Sequence, residues 1–185
     1  MIQPVYDFGI PDAYLKALLF AADAHAGQLI TGSRMPYLTH LTAVCMEATT
    51  AIREMEHGDL LLTMQCALLH DVLEDTPIIY EELEAAFSQE IARGVLALTK
   101  DESLPREAQM ADSLQRILLL EVPEIRVVKM ADRVINLQPP PASWNAEKCS
   151  HYRSEAQFIL DQLSGVNHWI EARLAAKIEA YKVYC

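Results

Sequence analysis

Ala67-Leu68-Leu69-His70-Asp71-Val72-Leu73-Glu74-Asp75-Thr76 is an apolar helical run that turns ionisable at four of the six positions from 70 to 75. A helix that only had to pack would not place an imidazole and three carboxylates there. His70 and Asp71, side by side, are ligand types that suit one borderline divalent metal. In a continuous helix Glu74 lies one turn after His70, and Asp75 one turn after Asp71. All four side chains can then serve one pocket, and the chemistry this suggests is metal-assisted hydrolysis.

The surrounding pattern is helical. From Pro11 to about Gln28 the apolar residues Leu15, Leu18, Leu19, Ala22 and Ala26 recur at three- and four-residue steps. Leu29 to Tyr37 reads as a loop from its Gly, Ser and Pro content. Further helices are expected over about 38–55, 60–74, 80–87, 88–99, 105–120 and 123–137, with Pro123 suited to a first turn. The run Gln138-Pro139-Pro140-Pro141 breaks the chain rigidly. Ser143 is expected to cap a long helix toward Leu163, and a last helix follows Gly165. No β-alternating run, repeat or long heptad pattern occurs. The fold class is therefore all-α, a bundle of eight or nine helices. The 185 residues fit one domain, with a core over about 12–163 and a C-terminal helix, 166–182, packing on it.

Composition narrows the function. The net charge of −11 repels DNA and RNA, so a nucleic-acid partner is not expected. An anionic small substrate needs a bound metal and a local basic patch against that field. Leu60-Leu61-Leu62 and Leu118-Leu119-Leu120 are too short to span a membrane. Met1-Ile2-Gln3-Pro4 shows no basic segment followed by an apolar run, so no secretory leader is expected. Cys45, Cys66, Cys149 and Cys185 have no CxxC spacing, and Cys45 and Cys66 read as core residues. A reducing cytoplasm is the expected location. The oligomeric state is left open.

His40, His70, Asp71 and Asp132 are the candidate metal ligands, drawn from three helices. Two imidazoles and two carboxylates suit Mn, Fe or Zn better than Mg or Ca. His40 alone would read as a histidine in an ordinary hydrogen bond, and Asp132 alone as an ion-pair partner of Lys129 or Arg133. Asp132, however, lies among Val127, Val128, Met130 and Ala131, where a carboxylate needs a strong partner. Glu74 and Asp75 are the candidate catalytic acids, able to hold a metal-activated water or accept its proton. Their bland alternative is a helix end with exposed acids, a placement that opposes the helix dipole. Asn136 shares a face with Asp132. Lys129, Arg133, Lys148 and Tyr152 are candidate substrate contacts, the last two alternatively a surface stripe with Trp144 and Arg153. His57, His151 and His168 read as surface residues and His25 as a packing residue. No GxSxG, P-loop or GxGxxG occurs.

Four blocks in order, His25-Ala26-Gly27-Gln28, Pro36-Tyr37-Leu38-Thr39-His40, the stretch 67–76 and Lys129-Met130-Ala131-Asp132-Arg133-Val134-Ile135-Asn136-Leu137, resemble the HD-domain hydrolases of the RelA/SpoT type, including the small stand-alone alarmone hydrolases. The resemblance covers about Tyr14 to Tyr152. It implies that His40, His70, Asp71 and Asp132 bind a metal, typically Mn²⁺. It implies that Glu74 and Asp75 are the catalytic acids and that Asn136 meets the substrate. The implied reaction removes the 3′-pyrophosphate of (p)ppGpp, giving GDP or GTP and pyrophosphate. The chain departs from the family in places. A loop that usually carries a basic pair for guanine and phosphates here holds only Arg34, Leu41 replaces a proline, and Arg133-Val134-Ile135-Asn136 replaces an Arg-x-His-Asn pattern. Two other readings therefore stand beside the alarmone hydrolase. One is the same metal site acting on a nucleoside monophosphate or another 3′-phosphorylated nucleotide. The other is a catalytically weak sensor that binds nucleotide or metal.

Overall fold

Helix α3 (Leu60–Leu69) is buried at every position from Leu62 to Leu69, which places it at the centre of the molecule. The computed structural model describes residues 9–185; the Met1–Pro4 stretch read above for a leader lies outside them. The described residues form ten α-helices and a closing 3₁₀ turn: α1 (Gly9–Ala24), α2 (Leu38–Ile52), α3, α4 (Val72–Asp75), α5 (Tyr80–Ala86), α6 (Gln89–Leu98), α7 (Arg106–Leu120), α8 (Pro123–Asn136), α9 (Ala146–Leu163), α10 (His168–Ala180) and the turn Tyr181–Tyr184. Nine of the helices have seven residues or more, and α4 is a single turn. Extended pairing among the described residues is limited to an isolated bridge between Leu29 and Pro36. The all-α expectation therefore holds. No helix among the described residues is long and apolar enough to cross a membrane.

Around α3 pack α1, α2, α6 and α8. From α1, Ala17 and Ala21 are fully buried, one turn apart, and their small side chains allow close approach. In α8, Ile125, Val127, Val128, Met130, Ala131 and Val134 are all buried. Gly94 lets α6 lie against both α3 and α8, since a Cβ there would sit 2.7 Å from Ile125 Cδ1 and 3.1 Å from Cys66 Sγ. Helix α10 packs on α8, α9 and α2. It is tied to α2 by Arg173, which grips the Glu47 carboxylate from Nε and Nη2, and by Asn167, whose amide donates to the Ala51 carbonyl at 2.7 Å. Cys45, Cys66 and Cys149 are buried thiols, and burial pushes the Cys45 thiol up to about 12.

Two local expectations are corrected. The helix read over 60–74 is broken. The α3 helix ends at Leu69, Asp71 adopts φ −103°, ψ 1°, and α4 restarts at Val72. The long helix before Leu163 is capped by Asn145, whose side chain accepts from the Lys148 N–H, and not by Ser143. The triple proline carries the chain two residues further before an Asx cap closes the first turn.

Candidate metal centre

The break between α3 and α4 builds the site. In an unbroken helix neighbouring residues point about 100° apart and cannot share a ligand position. The bridge-region backbone at Asp71 turns its carboxylate back toward His70, so that Asp71 Oδ2 lies 3.0 Å from His70 Nε2. From the second residue after Leu38, at the start of α2, comes His40, whose Nε2 lies 3.3 Å from His70 Nε2. From the apolar face of α8 comes Asp132, whose Oδ1 lies 3.3 Å from His40 Nε2 and 3.6 Å from His70 Nε2. A fifth edge, His40 Nε2 to Asp71 Oδ2, is 3.8 Å. Ligand atoms about 2.1 Å from one divalent cation lie roughly 3.0 Å apart at octahedral corners and about 3.4 Å apart at tetrahedral ones. His40, His70 and Asp132 fit that spacing, and Asp71 adjoins them through His70. His40, His70 and Asp132 are all buried.

The surrounding bonds orient this set for a cation. His70 Nδ1 donates to the Ala67 carbonyl at 2.8 Å, which leaves Nε2 as the lone pair facing the cluster. Tyr37 donates its hydroxyl to Asp71 Oδ2 at 2.5 Å, and Asn136 Nδ2 donates to Asp132 Oδ1 at 2.5 Å. Burial, with the Asp71 charge next, pushes the Tyr37 hydroxyl far up, so it stays a donor. Without a cation the carboxylates draw a proton instead. Burial works against charge on His70, but Asp71 and Asp132 outweigh it and raise its imidazolium well above the ordinary value. Asp71 is likewise held at about 2, burial being overcome by His70 and by the Tyr37 hydrogen bond. A site that keeps a buried proton between two carboxylates is a site a divalent cation can take over.

Glu74 and Asp75 stand on the single turn α4, beside the cluster in sequence. Lys100 holds Glu74, with Nζ 2.7 Å from Oε1 and the backbone N–H 3.0 Å from Oε2. Gln28 Nε2 donates to Asp75 Oδ2 at 2.8 Å, and the Gln28 Oε1 lies 2.6 Å from His25 Nδ1. His25 is buried beside the Tyr37 ring, and its Nε2 has no partner among the described residues. Lys100, Gln28, Tyr37 and His25 were not singled out as site residues. Gln28 and Tyr37 lay inside the motif blocks, yet nothing in their spacing says that they reach acids 47 and 34 positions away.

The remaining candidates are spread around this centre. Arg34 is exposed in the 29–36 hairpin. Lys129 is buried, its Nζ turned to the Leu98 carbonyl 3.4 Å away, and burial lowers its ammonium. Arg133 is buried, paired with Glu155 at 2.7 Å and stacked 4.4 Å over the Tyr152 ring. Tyr152 meets Trp144 edge to face, and exposed Lys148 lies 4.3 Å over Trp144. Arg133, Tyr152, Trp144 and Lys148 thus form one stacked row. The Tyr152 hydroxyl is pushed up to about 12 by burial, Arg133 opposing and Asp132, Glu155 and Asp71 adding to it.

With this geometry in place the comparisons become informative. A family model described as an HD domain matches residues 17–164. The chain belongs to the HD-domain family. Within it, the chain is of the RelA/SpoT hydrolase type. It is 32% identical to the guanosine-3′,5′-bis(diphosphate) 3′-pyrophosphohydrolase MESH1 of Danio rerio, over 86% of this chain and 89% of the relative. It is 36% identical to the bifunctional (p)ppGpp synthase/hydrolase SpoT of Escherichia coli K12 over 66% of this chain, which spans only 17% of that longer protein. The fold also matches a solved structure of a metazoan SpoT ortholog that hydrolyses ppGpp. That match has a TM-score of 0.80 and 24% identity, over 96% of this chain and 98% of the other. This HD-domain chain therefore carries both the family fold and a buried His–Asp cluster that could hold a metal ion.

Proposed function

We propose that this HD-domain chain is a Mn²⁺-dependent hydrolase that removes the 3′-pyrophosphate of (p)ppGpp, releasing GDP or GTP and pyrophosphate. The observation that carries this reading is the near full-length likeness to MESH1, a guanosine-3′,5′-bis(diphosphate) 3′-pyrophosphohydrolase. The site supports it. His40, His70, Asp71 and Asp132 hold the cation, and their mixed nitrogen and oxygen set suits Mn²⁺. When bound, the cation supplies Lewis-acid polarisation and charge neutralisation at the reacting phosphate.

The chain's own residues supply the rest. Glu74 holds the attacking water and Asp75 accepts its proton, each from a carboxylate already fixed by a partner. The water oxygen forms the new bond to the 3′-linked phosphorus as the bond to the 3′ oxygen breaks; the proton Asp75 accepted passes to that oxygen, leaving a 3′-hydroxyl on the nucleotide and free pyrophosphate. Asn136, bonded to Asp132, keeps that carboxylate turned to the cluster and borders the nucleotide. Lys148 and Tyr152 supply a basic–aromatic edge for it, with Arg133 holding Tyr152 from behind. Lys129 and Arg133 add positive potential from within the core, and Arg34 meets phosphate from the hairpin. The whole chain works as one HD unit in the cytoplasm.

A second reading keeps the site and changes the nucleotide. Its support is the hairpin between Gln28 and Tyr37, whose two ends are bonded to each other and to Asp75 and Asp71. At this rim Leu29 and Met35 are half exposed, 51% and 50%, and Arg34 is the sole cation. That rim suits a ligand with less charge than a guanosine tetraphosphate. The test is to incubate metal-free protein plus Mn²⁺ with ppGpp, pppGpp and 5′- and 3′-nucleotides and to resolve products by ion exchange. Pyrophosphate with GDP or GTP supports the first reading. Orthophosphate from another nucleotide supports the second. Nucleotide binding without turnover of any of them defeats both and leaves a sensor.

A further inference from the structure

We infer that Lys100 is a positioning residue that fixes the carboxylate plane of Glu74 beside the metal cluster. Its consequence for turnover rests on the hydrolase reading above, whereas the clamp itself rests on geometry alone. One residue supplies two donors to the two oxygens of one carboxylate: the backbone N–H to Oε2 at 3.0 Å and Nζ to Oε1 at 2.7 Å. A lone ammonium on a flexible stem can swing with its partner. A backbone donor cannot, so the pair together sets both the position and the tilt of Glu74.

The end of α6 is built to release that backbone donor. Had the helix continued, the Lys100 N–H would have bonded to the Leu96 carbonyl, four residues back. Instead the chain turns extended at Thr99, φ −72°, ψ 136°. The carbonyls left open there are taken by side chains from α7 and α8. Arg116 donates to the Leu96 carbonyl and, at 2.6 Å, to the Thr99 carbonyl. Ser113 donates to Ala97 at 2.8 Å, and Lys129 reaches Leu98 at 3.4 Å. Helix termini leave such carbonyls without intrahelical partners. Here Arg116 occupies the acceptor that Lys100 would have used, and the freed N–H goes to Glu74. Arg116 is itself held by Asp112 at 2.8 Å. Lys100 also lies close enough to Asp132 and Asp71 for their charges to favour its ammonium, after burial and Glu74. The clamp therefore borders the cluster and is anchored on the core.

The test uses the full chain and four variants: Lys100→Met, Lys100→Arg, Glu74→Gln and Lys100→Met with Glu74→Gln. Thermal unfolding of the wild type, Lys100→Met, Glu74→Gln and the double variant closes a double-mutant cycle that needs no activity. The expected result is non-additivity of about 3 °C, the double variant losing less than the two single losses added together. In ppGpp turnover, Lys100→Met is expected to lower kcat about tenfold while KM and Mn²⁺ affinity stay within about twofold, and Lys100→Arg to recover part of the loss. Lys100→Gln replaces Lys100→Met if the latter does not fold. Additive melting losses overturn the clamp. Additivity is decisive even if the wild type leaves ppGpp intact, a result that would instead defeat the hydrolase reading. Wild-type kcat in Lys100→Met, or a kcat loss matched by an equal loss of Mn²⁺ affinity, overturns its action through Glu74.

Discussion

Gln28 donates its side-chain amide to the Asp75 carboxylate across 2.8 Å, joining the end of the α1 turn to the single-turn helix α4. His25 sets the direction of that amide, because its Nδ1–H takes the Gln28 oxygen at 2.6 Å and leaves the NH₂ for Asp75. The acid is thus aimed by a side-chain amide, while its neighbour Glu74 is aimed by a lysine. Gln28→Ala is expected to lower kcat about tenfold with Mn²⁺ affinity unchanged, as for loss of a group that holds a catalytic residue in place. Steady-state kinetics beside calorimetric metal titration checks this. A change in metal affinity and none in kcat would assign Gln28 to the ligand set instead.

Removing Tyr37's hydroxyl should act on the metal. Tyr37→Phe keeps the ring against His25 and His40 but deletes the bond to Asp71 Oδ2. Losses of this kind typically weaken metal affinity by about 10–100-fold. Isothermal titration of the metal-free variant with Mn²⁺ reads it directly. Unchanged affinity would mean that the bond only packs the ring.

Substituting a ligand should be more severe than substituting its support. His70→Ala and Asp132→Ala are each expected to abolish measurable Mn²⁺ binding and turnover. Both variants should still fold, because a cavity of imidazole or carboxylate size costs about 1–3 kcal/mol against a core this extensive. Circular dichroism with metal analysis checks both halves. Full metal content in either variant would remove that residue from the cluster.

The stabilisation given by Mn²⁺ should grow with pH. His70 has a folded value raised above 6.5, so its contribution to the metal-free fold is present below 6.5 and is lost as pH rises through the raised value. Asp71, depressed to about 2 from 3.8, contributes above 3.8 and loses that contribution only as pH falls toward 2. Between these limits the metal-free site is satisfied by its own proton, and the cation must displace it. The increment in melting temperature on adding Mn²⁺ is therefore expected to increase from about pH 6 to about pH 9. A constant increment would mean that no proton leaves the cluster on metal binding.

Gly94 offers a control away from the site. Gly94→Val puts side-chain atoms where Ile125 and Cys66 already lie, and overpacking of this kind costs about 1–3 kcal/mol. Urea denaturation should show that loss while Mn²⁺ affinity stays at the wild-type value. Wild-type stability would mean that α6 and α8 can separate without penalty.

The helices were legible because their information is local. Apolar spacing located the nine longer helices to within a few residues, and Pro123 and Gly165 marked an opening and an interruption. The break at His70-Asp71 was not legible, since a helical pattern runs straight through it and the groups that meet the turned-back Asp71 carboxylate, Tyr37 and His40, come from another segment. His40, His70 and Asp132, singled out by residue type and context, lie within 3.6 Å of one another, and Asp71 lies 3.0 Å from His70 and 3.8 Å from His40. Lys129 and Arg133 carry charge in the sequence like any surface pair, and nothing local says that both are buried.

By itself, then, the sequence determined the helical class and which side chains could bind a cation, because periodicity and ligand chemistry are properties of residues and their near neighbours. Only the tertiary structure decided which groups aim the two acids. Lys100 reaches Glu74 because Arg116, on another helix, takes the carbonyl that would have claimed its N–H. Such a bond depends on three segments meeting in space, and no single segment carries a record of the other two.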